Sequence, residues 1–131
     1  MNHEKFEKKL MDMFLDGNEP VLEELRDQYK NSIVESRKFT GAGFFTHFKV
    51  DKGISPLAGR KSFQISDIDV TSDSVKGAFG FILFINEGYL SMLEGYTLST
   101  EVWPEDYSNI VLSYFGSGGA RDLEKLKKRW A

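Results

Sequence analysis

The spacing of apolar residues predicts two helices at the start of the chain. Four of them recur at i, i+4, i+7 and i+8, which is the spacing of one helix face. They are Phe6, Leu10, Met13 and Phe14. We expect this helix to run from an Asn2 cap to about Asp16, and a second helix to begin near Asn18 or Glu19 with Pro20 in its first turn. The short connection makes the two helices neighbours.

From Ile33 onward the pattern changes to short segments typical of β-strands. We predict strands over 33–37, 38–50, 62–71, 79–85, 89–98 and 110–115, of which 33–37 carries the weakest signal. Ala78–Ile85 (AFGFILFI) is continuously apolar, which indicates a strand buried on both faces. Asn86-Glu87-Gly88 follows as a hairpin turn, with Gly88 supplying a positive φ.

The order of these elements defines the fold class. Helices come first, strands follow, and a last helix is predicted over Arg121–Trp130 after the glycine-rich joint Gly116–Gly119. Segregated helices and strands indicate an α+β fold with two N-terminal helices, a mainly antiparallel sheet of about five strands and a C-terminal helix. The 131 residues are expected to form one domain, residues 1–131.

Glu94 is the one anomaly in the predicted strand Tyr89–Leu98. Strict alternation places its side chain on the same face as four large, mostly apolar residues. They are Leu90, Met92, Tyr96 and Leu98. If that face is the core, Glu94 must be paired or have a raised pKa, because burial of a lone carboxylate is costly.

Composition excludes several kinds of chemistry. There are no cysteines and only two histidines, so thiolate catalysis, disulfides and a transition-metal site are not expected, and no cofactor is predicted. A net charge of −3 argues against nucleic acid as a partner. No stretch is long and apolar enough to span a membrane, and the charged start lacks a signal-peptide core, so we expect a cytoplasmic protein.

Two constellations are candidate sites. Trp103 and Tyr107, with Tyr96, would make an exposed aromatic platform beside the acidic Glu105 and Asp106, and such surfaces often contact partner proteins. The alternative is that Trp103 folds back as a lid over the sheet edge. In the second constellation His47 and Glu94 would form a buried acid–base pair near Tyr96, against the alternative that His47 lies on a solvated sheet face.

Three weaker patterns have structural alternatives that we favour. Asp67 and Asp69, with Asp73, would offer oxygen ligands to Mg²⁺ or Ca²⁺, but a solvated strand face explains them as well. Gly116–Gly119 precedes a helix start, where an anion could bind, but it matches no phosphate-binding motif and fits a hinge. The basic end with an aromatic tip would offer a nucleic-acid contact, but a solvated helix end explains it as well. It consists of Lys125, Lys127, Lys128, Arg129 and Trp130.

The segment LFINEGYLSMLEGYTLSTEVWPE resembles one in a loose group of small bacterial proteins of unassigned function. The matching residues are Gly88, Leu93, Glu94, Gly95, Tyr96, Thr97, Trp103 and Pro104. Gly43-Phe44-Phe45 is also similar; strong similarity covers about a fifth of the chain, and a weaker version extends from Gly41 to Tyr107. The resemblance implies a small cytosolic bacterial α+β protein. Some members look like immunity proteins that neutralise a toxin, and no catalytic residue can be carried over.

These observations support a non-catalytic bacterial protein that binds a protein partner, of which an immunity protein facing a basic toxin is one version. The predicted contact residues are Glu94, Tyr96, Trp103, Glu105, Asp106 and Tyr107. The alternative is a small-ligand or enzymatic pocket around Glu94, Tyr96 and His47. A homodimer is a third option. An enzyme is the less favoured class, because no catalytic motif is present.

Overall fold

The computed structural model describes residues 2–71, 78–98, 102–116 and 120–131. Both N-terminal helices form as predicted. Helix α1 spans His3–Phe14, and the Asn2 side chain caps it by accepting the Lys5 N–H. Helix α2 spans Pro20–Lys30, and Glu19 accepts the first free N–H groups. No helix among the described residues is long and apolar enough to cross a membrane.

Within the described residues, seven strands and a short third helix follow. The strands are β1 Ser32–Thr40, β2 Gly43–Val50, β3 Phe63–Ile65, β4 Ile68–Val70, β5 Phe79–Asn86, β6 Tyr89–Thr97 and β7 Leu112–Tyr114. Five of them form an antiparallel sheet in the order β1-β2-β6-β5-β3, and β4 pairs with β7 separately. A 3₁₀ turn spans Ala58–Arg60, and helix α3 spans Leu123–Lys127. The α+β prediction is confirmed.

The structure divides two of the predicted strands at positions that we did not expect from the sequence. The predicted strand 38–50 begins too early, because Lys38–Thr40 completes β1 and the chain turns at Gly41 before β2. The predicted strand 62–71 breaks at Ser66-Asp67, where its faces switch, and its two halves join different sheets. The predicted turn at Ser72-Asp73-Ser74 and most of the Gly116–Gly119 joint fall outside the described residues.

The two N-terminal helices pack on one face of the five-stranded sheet, which we call the inner face. Phe6 of α1 lies against Phe81 of β5, with ring centroids 5.7 Å apart. The largest fully buried side chains on the helices are Phe6, Leu10, Met11, Phe14, Leu22 and Leu25. Met11 rather than the predicted Met13 belongs to this set. Burial of these side chains supplies the main driving force for folding.

Gln28 of α2 joins the helices to the β5–β6 hairpin. Its amide nitrogen donates to the Gly88 carbonyl at 2.9 Å, and its amide oxygen accepts the Leu90 N–H at 2.7 Å. The residue is fully buried, so both polar ends of the side chain need partners, and the backbone of the hairpin provides them. The predicted turn forms there, with positive φ at both Glu87 and Gly88.

Candidate functional site

A β-bulge in β6 reassigns the face on which Glu94 lies. Ile85 pairs with Leu90 and Phe84 pairs with Met92, so Ser91 is an extra residue in β6. Strict alternation therefore fails at this point, and Leu90 and Glu94 are on opposite faces. The expectation that Glu94 shares a face with Leu90 was wrong. Glu94 lies on the face away from the helices.

The outer surface of the five-stranded sheet carries a half-buried apolar patch with one carboxylate at its centre. We call this patch the open face; it consists of Phe45, Ile82, Phe84, Met92, Glu94 and Tyr96. Phe45 and Ile82 are the direct cross-strand neighbours of Glu94, while Met92 and Tyr96 lie two residues away along β6. Among the described residues, no side-chain hydrogen bond, ion pair or ring contact joins the open face to another element. A sheet of this size usually has one solvated face, but that face is usually polar.

Glu94 is electrostatically uncompensated. Among the described residues it forms no ion pair and no side-chain hydrogen bond. Burial among its apolar neighbours raises the pKa of Glu94. The carboxylate thus loses water without gaining a positive neighbour among the described residues.

His47 and Glu94 do not form the predicted acid–base pair. His47 pairs with Met92 rather than with Glu94, and its side chain is exposed on the solvent side. Across the described part of the sheet, no hydrogen bond joins the two side chains. A shallow depression beside His47 is lined by Phe84, Met92 and residues of β3, but neither Glu94 nor Tyr96 contributes to it.

Trp103 lies inside the protein, which corrects the expectation of an exposed aromatic platform. It is 9% exposed and packs on the inner face against Phe44 and Phe79, at centroid distances of 5.6 and 5.1 Å. Gly95 makes room for it, because a Cβ at that position would stand 2.8 Å from the Trp103 ring. Trp103 therefore folds back onto the sheet as the alternative expected, but it covers the central strand β6 rather than the sheet edge.

Tyr107 is also buried, and it links Trp103 to the first turn of α1. Its ring stacks on Phe6 at 4.2 Å, and its hydroxyl accepts the Trp103 indole N–H at 3.0 Å. The same hydroxyl lies 2.9 Å from Nδ1 of His3. Burial raises the pKa of Tyr107, so the phenol keeps its proton and can donate it to His3. We infer that His3 carries its own hydrogen on Nε2.

Glu7 receives the other end of this chain of hydrogen bonds. Its carboxylate lies 3.2 Å from His3 Nε2, accepts a 2.6 Å hydrogen bond from the Thr46 hydroxyl, and is held by two nitrogens of Arg37 at 2.9 and 3.1 Å. Burial would raise the pKa of Glu7. The hydrogen bonds from His3, Arg37 and Thr46 and the positive charge of Arg37 outweigh burial and lower this pKa to about 2.

We call the set Trp103, Tyr107, His3, Glu7, Arg37 and Thr46 the buried relay. It ties the loop before β7 to α1, and α1 to β1 and β2. Every polar atom in it is paired, and no buried side-chain nitrogen or oxygen among the described residues lacks a partner. A satisfied arrangement of this kind rigidifies and stabilises a fold.

The six predicted contact residues do not form one surface. Glu94 and Tyr96 lie on the open face, where the Tyr96 ring covers Gly80. Glu105 and Asp106 are exposed on a loop whose neighbouring aromatic residues pack on the inner face. The sheet therefore separates the two halves of the predicted site, and Trp103 and Tyr107 are too deeply buried to contact a partner.

Asp67 has a structural partner instead of a metal. Both of its oxygens bind Arg121, at 2.8 and 3.0 Å, and Arg121 also donates to the Met13 and Asp16 carbonyls. The guanidinium group lies 5.0 Å from the centre of the Tyr114 ring. No group of three or more potential metal ligands occurs among the described residues. Asp67 and Arg121 therefore fasten α1 to the small β4–β7 sheet.

Comparison with protein-family models, with curated proteins and with solved structures gives no match to this chain.

Proposed function

We propose that this chain is a non-catalytic binding protein that recognises a protein partner through the open face. The observation that carries the proposal is a half-buried apolar sheet face with a single unpaired carboxylate at its centre. Aromatic residues at the middle of a patch commonly dominate the energy of protein–protein contacts, and Phe45, Phe84 and Tyr96 supply them here. Glu94 and Tyr96 are the predicted contact residues that this proposal keeps.

The charge of the chain favours a basic partner. The net charge of −3 would speed the approach of a positively charged protein, and Glu105 and Asp106 are exposed to contribute to that attraction. An immunity protein that neutralises a basic toxin in the bacterial cytoplasm fits this description. Its support is the sequence resemblance of the segment that includes Leu93–Thr97, together with the acidic charge.

The geometry does not favour the alternative of a small-ligand or enzymatic pocket. Glu94, Tyr96 and His47 share the outer surface of the sheet, but the depression next to His47 excludes the other two. A second copy of the chain is a further occupant for the open face. Light scattering on the purified protein would detect it.

A pair of matched substitutions tests the proposal. Met92→Lys places a charge in the open face, whereas Val102→Lys makes the same kind of change at an apolar residue that is 78% exposed elsewhere. Each variant is used to capture partners from a lysate of the source organism, after circular dichroism has shown that it is folded. We expect Met92→Lys to lose the partner that the wild type and Val102→Lys retain. Equal capture by both variants would refute the proposal.

A further inference from the structure

The carboxylate at the centre of the open face has no positively charged partner among the described residues. Glu94 occupies that centre, with Phe45 and Ile82 beside it across the sheet and Met92 and Tyr96 along its own strand. All four neighbours are only partly exposed, so they already shield the carboxylate from some water. A partner that covered this face would remove the remaining water from Glu94.

The chemistry of a covered carboxylate limits which partner can bind. An entirely apolar partner would leave an ionised Glu94 buried without a counter-charge, or would force it to take up a proton, and both carry a free-energy cost. An acidic partner would add repulsion. A cation that donates hydrogen bonds to the carboxylate removes this cost, and apolar residues on either side of that cation can then contact the surrounding ring.

On the strength of the proposed function, we propose that the open face selects a protein segment that places an arginine or lysine between apolar side chains, with Glu94 receiving the cation. Arginine fits best, because its planar group can bind both carboxylate oxygens and stack on an aromatic ring such as Phe45 or Tyr96. Sequence specificity would then come from the spacing of the basic residue and its apolar neighbours.

The other charged groups near Glu94 leave this role to the partner. Lys38 lies in the same cross-strand row as Glu94, on the far side of Phe45. Two strand spacings of about 4.8 Å separate the two backbones by about 10 Å. No ion pair joins the two side chains within the described structure. His47 lies two residues beyond Phe45 along β2, and its side chain is exposed. On the β5 side the neighbours are Ile82 and Phe84, which carry no charge.

A peptide-selection experiment tests the proposal without a known partner. A random peptide library displayed on phage is selected against the folded full-length protein, and the enriched peptides are mapped by amide chemical-shift changes. We expect peptides that shift Glu94 and Phe84 and that carry arginine or lysine flanked by apolar residues. Their affinity should fall about tenfold or more in Glu94→Gln, because a charge-assisted hydrogen bond is lost. Glu24→Gln, an exposed change on α2, should alter it less than twofold.

Three outcomes would overturn the inference, and they are distinguishable. Peptides that map to the open face but lack a basic residue, or bind Glu94→Gln equally well, would refute the role of Glu94 while leaving the proposed function intact. Peptides that map only to other surfaces would count against the proposed function itself. If the protein self-associates through this face and Lys38→Ala abolishes the self-association, a second copy of the chain supplies the cation.

Discussion

Replacing Glu7 with glutamine removes the charge at the centre of the buried relay while keeping the size of the side chain. The Glu7 side chain is 4% exposed, and its pKa is lowered from 4.5 to about 2. That difference in pKa corresponds to about 3 kcal/mol of folding stability, at about 1.4 kcal/mol for each pKa unit. Because the pKa is lower in the folded protein, this stabilisation is complete above about pH 4.5 and is lost as the pH falls toward 2.

We therefore expect Glu7→Gln to lower the free energy of unfolding by about 3 kcal/mol at pH 7, because Arg37 loses its buried carboxylate partner. The gap between variant and wild type should narrow steadily between pH 4.5 and 2.5. Urea unfolding followed by far-ultraviolet circular dichroism at five pH values would measure it.

Glu4→Gln is the matched control for this experiment. Glu4 also lies near Arg37, with 3.5 Å between Oε1 and Nη1, but its side chain is 74% exposed. Exposed pairs contribute little, so we expect a loss below about 0.5 kcal/mol that hardly varies with pH. A gap for Glu7→Gln that stays constant from pH 7 to 2.5 would refute the reasoning, since the loss would then come from packing rather than from the ionised carboxylate.

Three further substitutions test the packing described above. Gly95→Ala would press a methyl group against Phe44 and Trp103. We expect urea unfolding to show a free energy of unfolding lower by about 1–3 kcal/mol, together with a shift in tryptophan fluorescence. Unchanged stability would contradict this packing. Gln28→Leu leaves the Leu90 N–H without its side-chain acceptor, so stability should fall by about 1–3 kcal/mol and exchange of that amide should quicken, whereas a protected amide would contradict the assignment. Arg121→Met leaves the Asp67 carboxylate without its guanidinium partner, so the free energy of unfolding should fall by about 3–5 kcal/mol. Adding Asp67→Leu to this variant should recover part of that loss, and no recovery would argue against the pair.

Local patterns predicted most of the fold because the relevant interactions are local. The cap at Asn2, the helix start around Pro20 and the Gly88 turn each depend on a few neighbouring residues. The extra residue at Ser91 could not be predicted, because a bulge depends on the partner strand and leaves no signature in composition. That single residue decides which face Glu94 occupies.

The buried relay was missed for a different reason. His3 and Glu7 lie in a charged stretch that suggests a solvated helix face, and their partners are far away in the chain. One signal was available: residues 3, 7, 10 and 14 share helical spacing, so His3 and Glu7 continue the buried stripe of Leu10 and Phe14. A polar pair in such a stripe predicts buried partners, but spacing alone does not identify them.

The turn of the β5–β6 hairpin is held by hydrogen bonds to residues outside the hairpin. The Gly88 carbonyl accepts hydrogen bonds from Leu57 and Gln28, and the Gly88 N–H donates to Lys61. A Cβ at Gly88 would meet Pro56 at 2.9 Å, so the surrounding loop closes tightly on the turn. We therefore expect amide hydrogens near the turn to exchange more slowly than those at the far ends of the two strands, around Phe79 and Thr97.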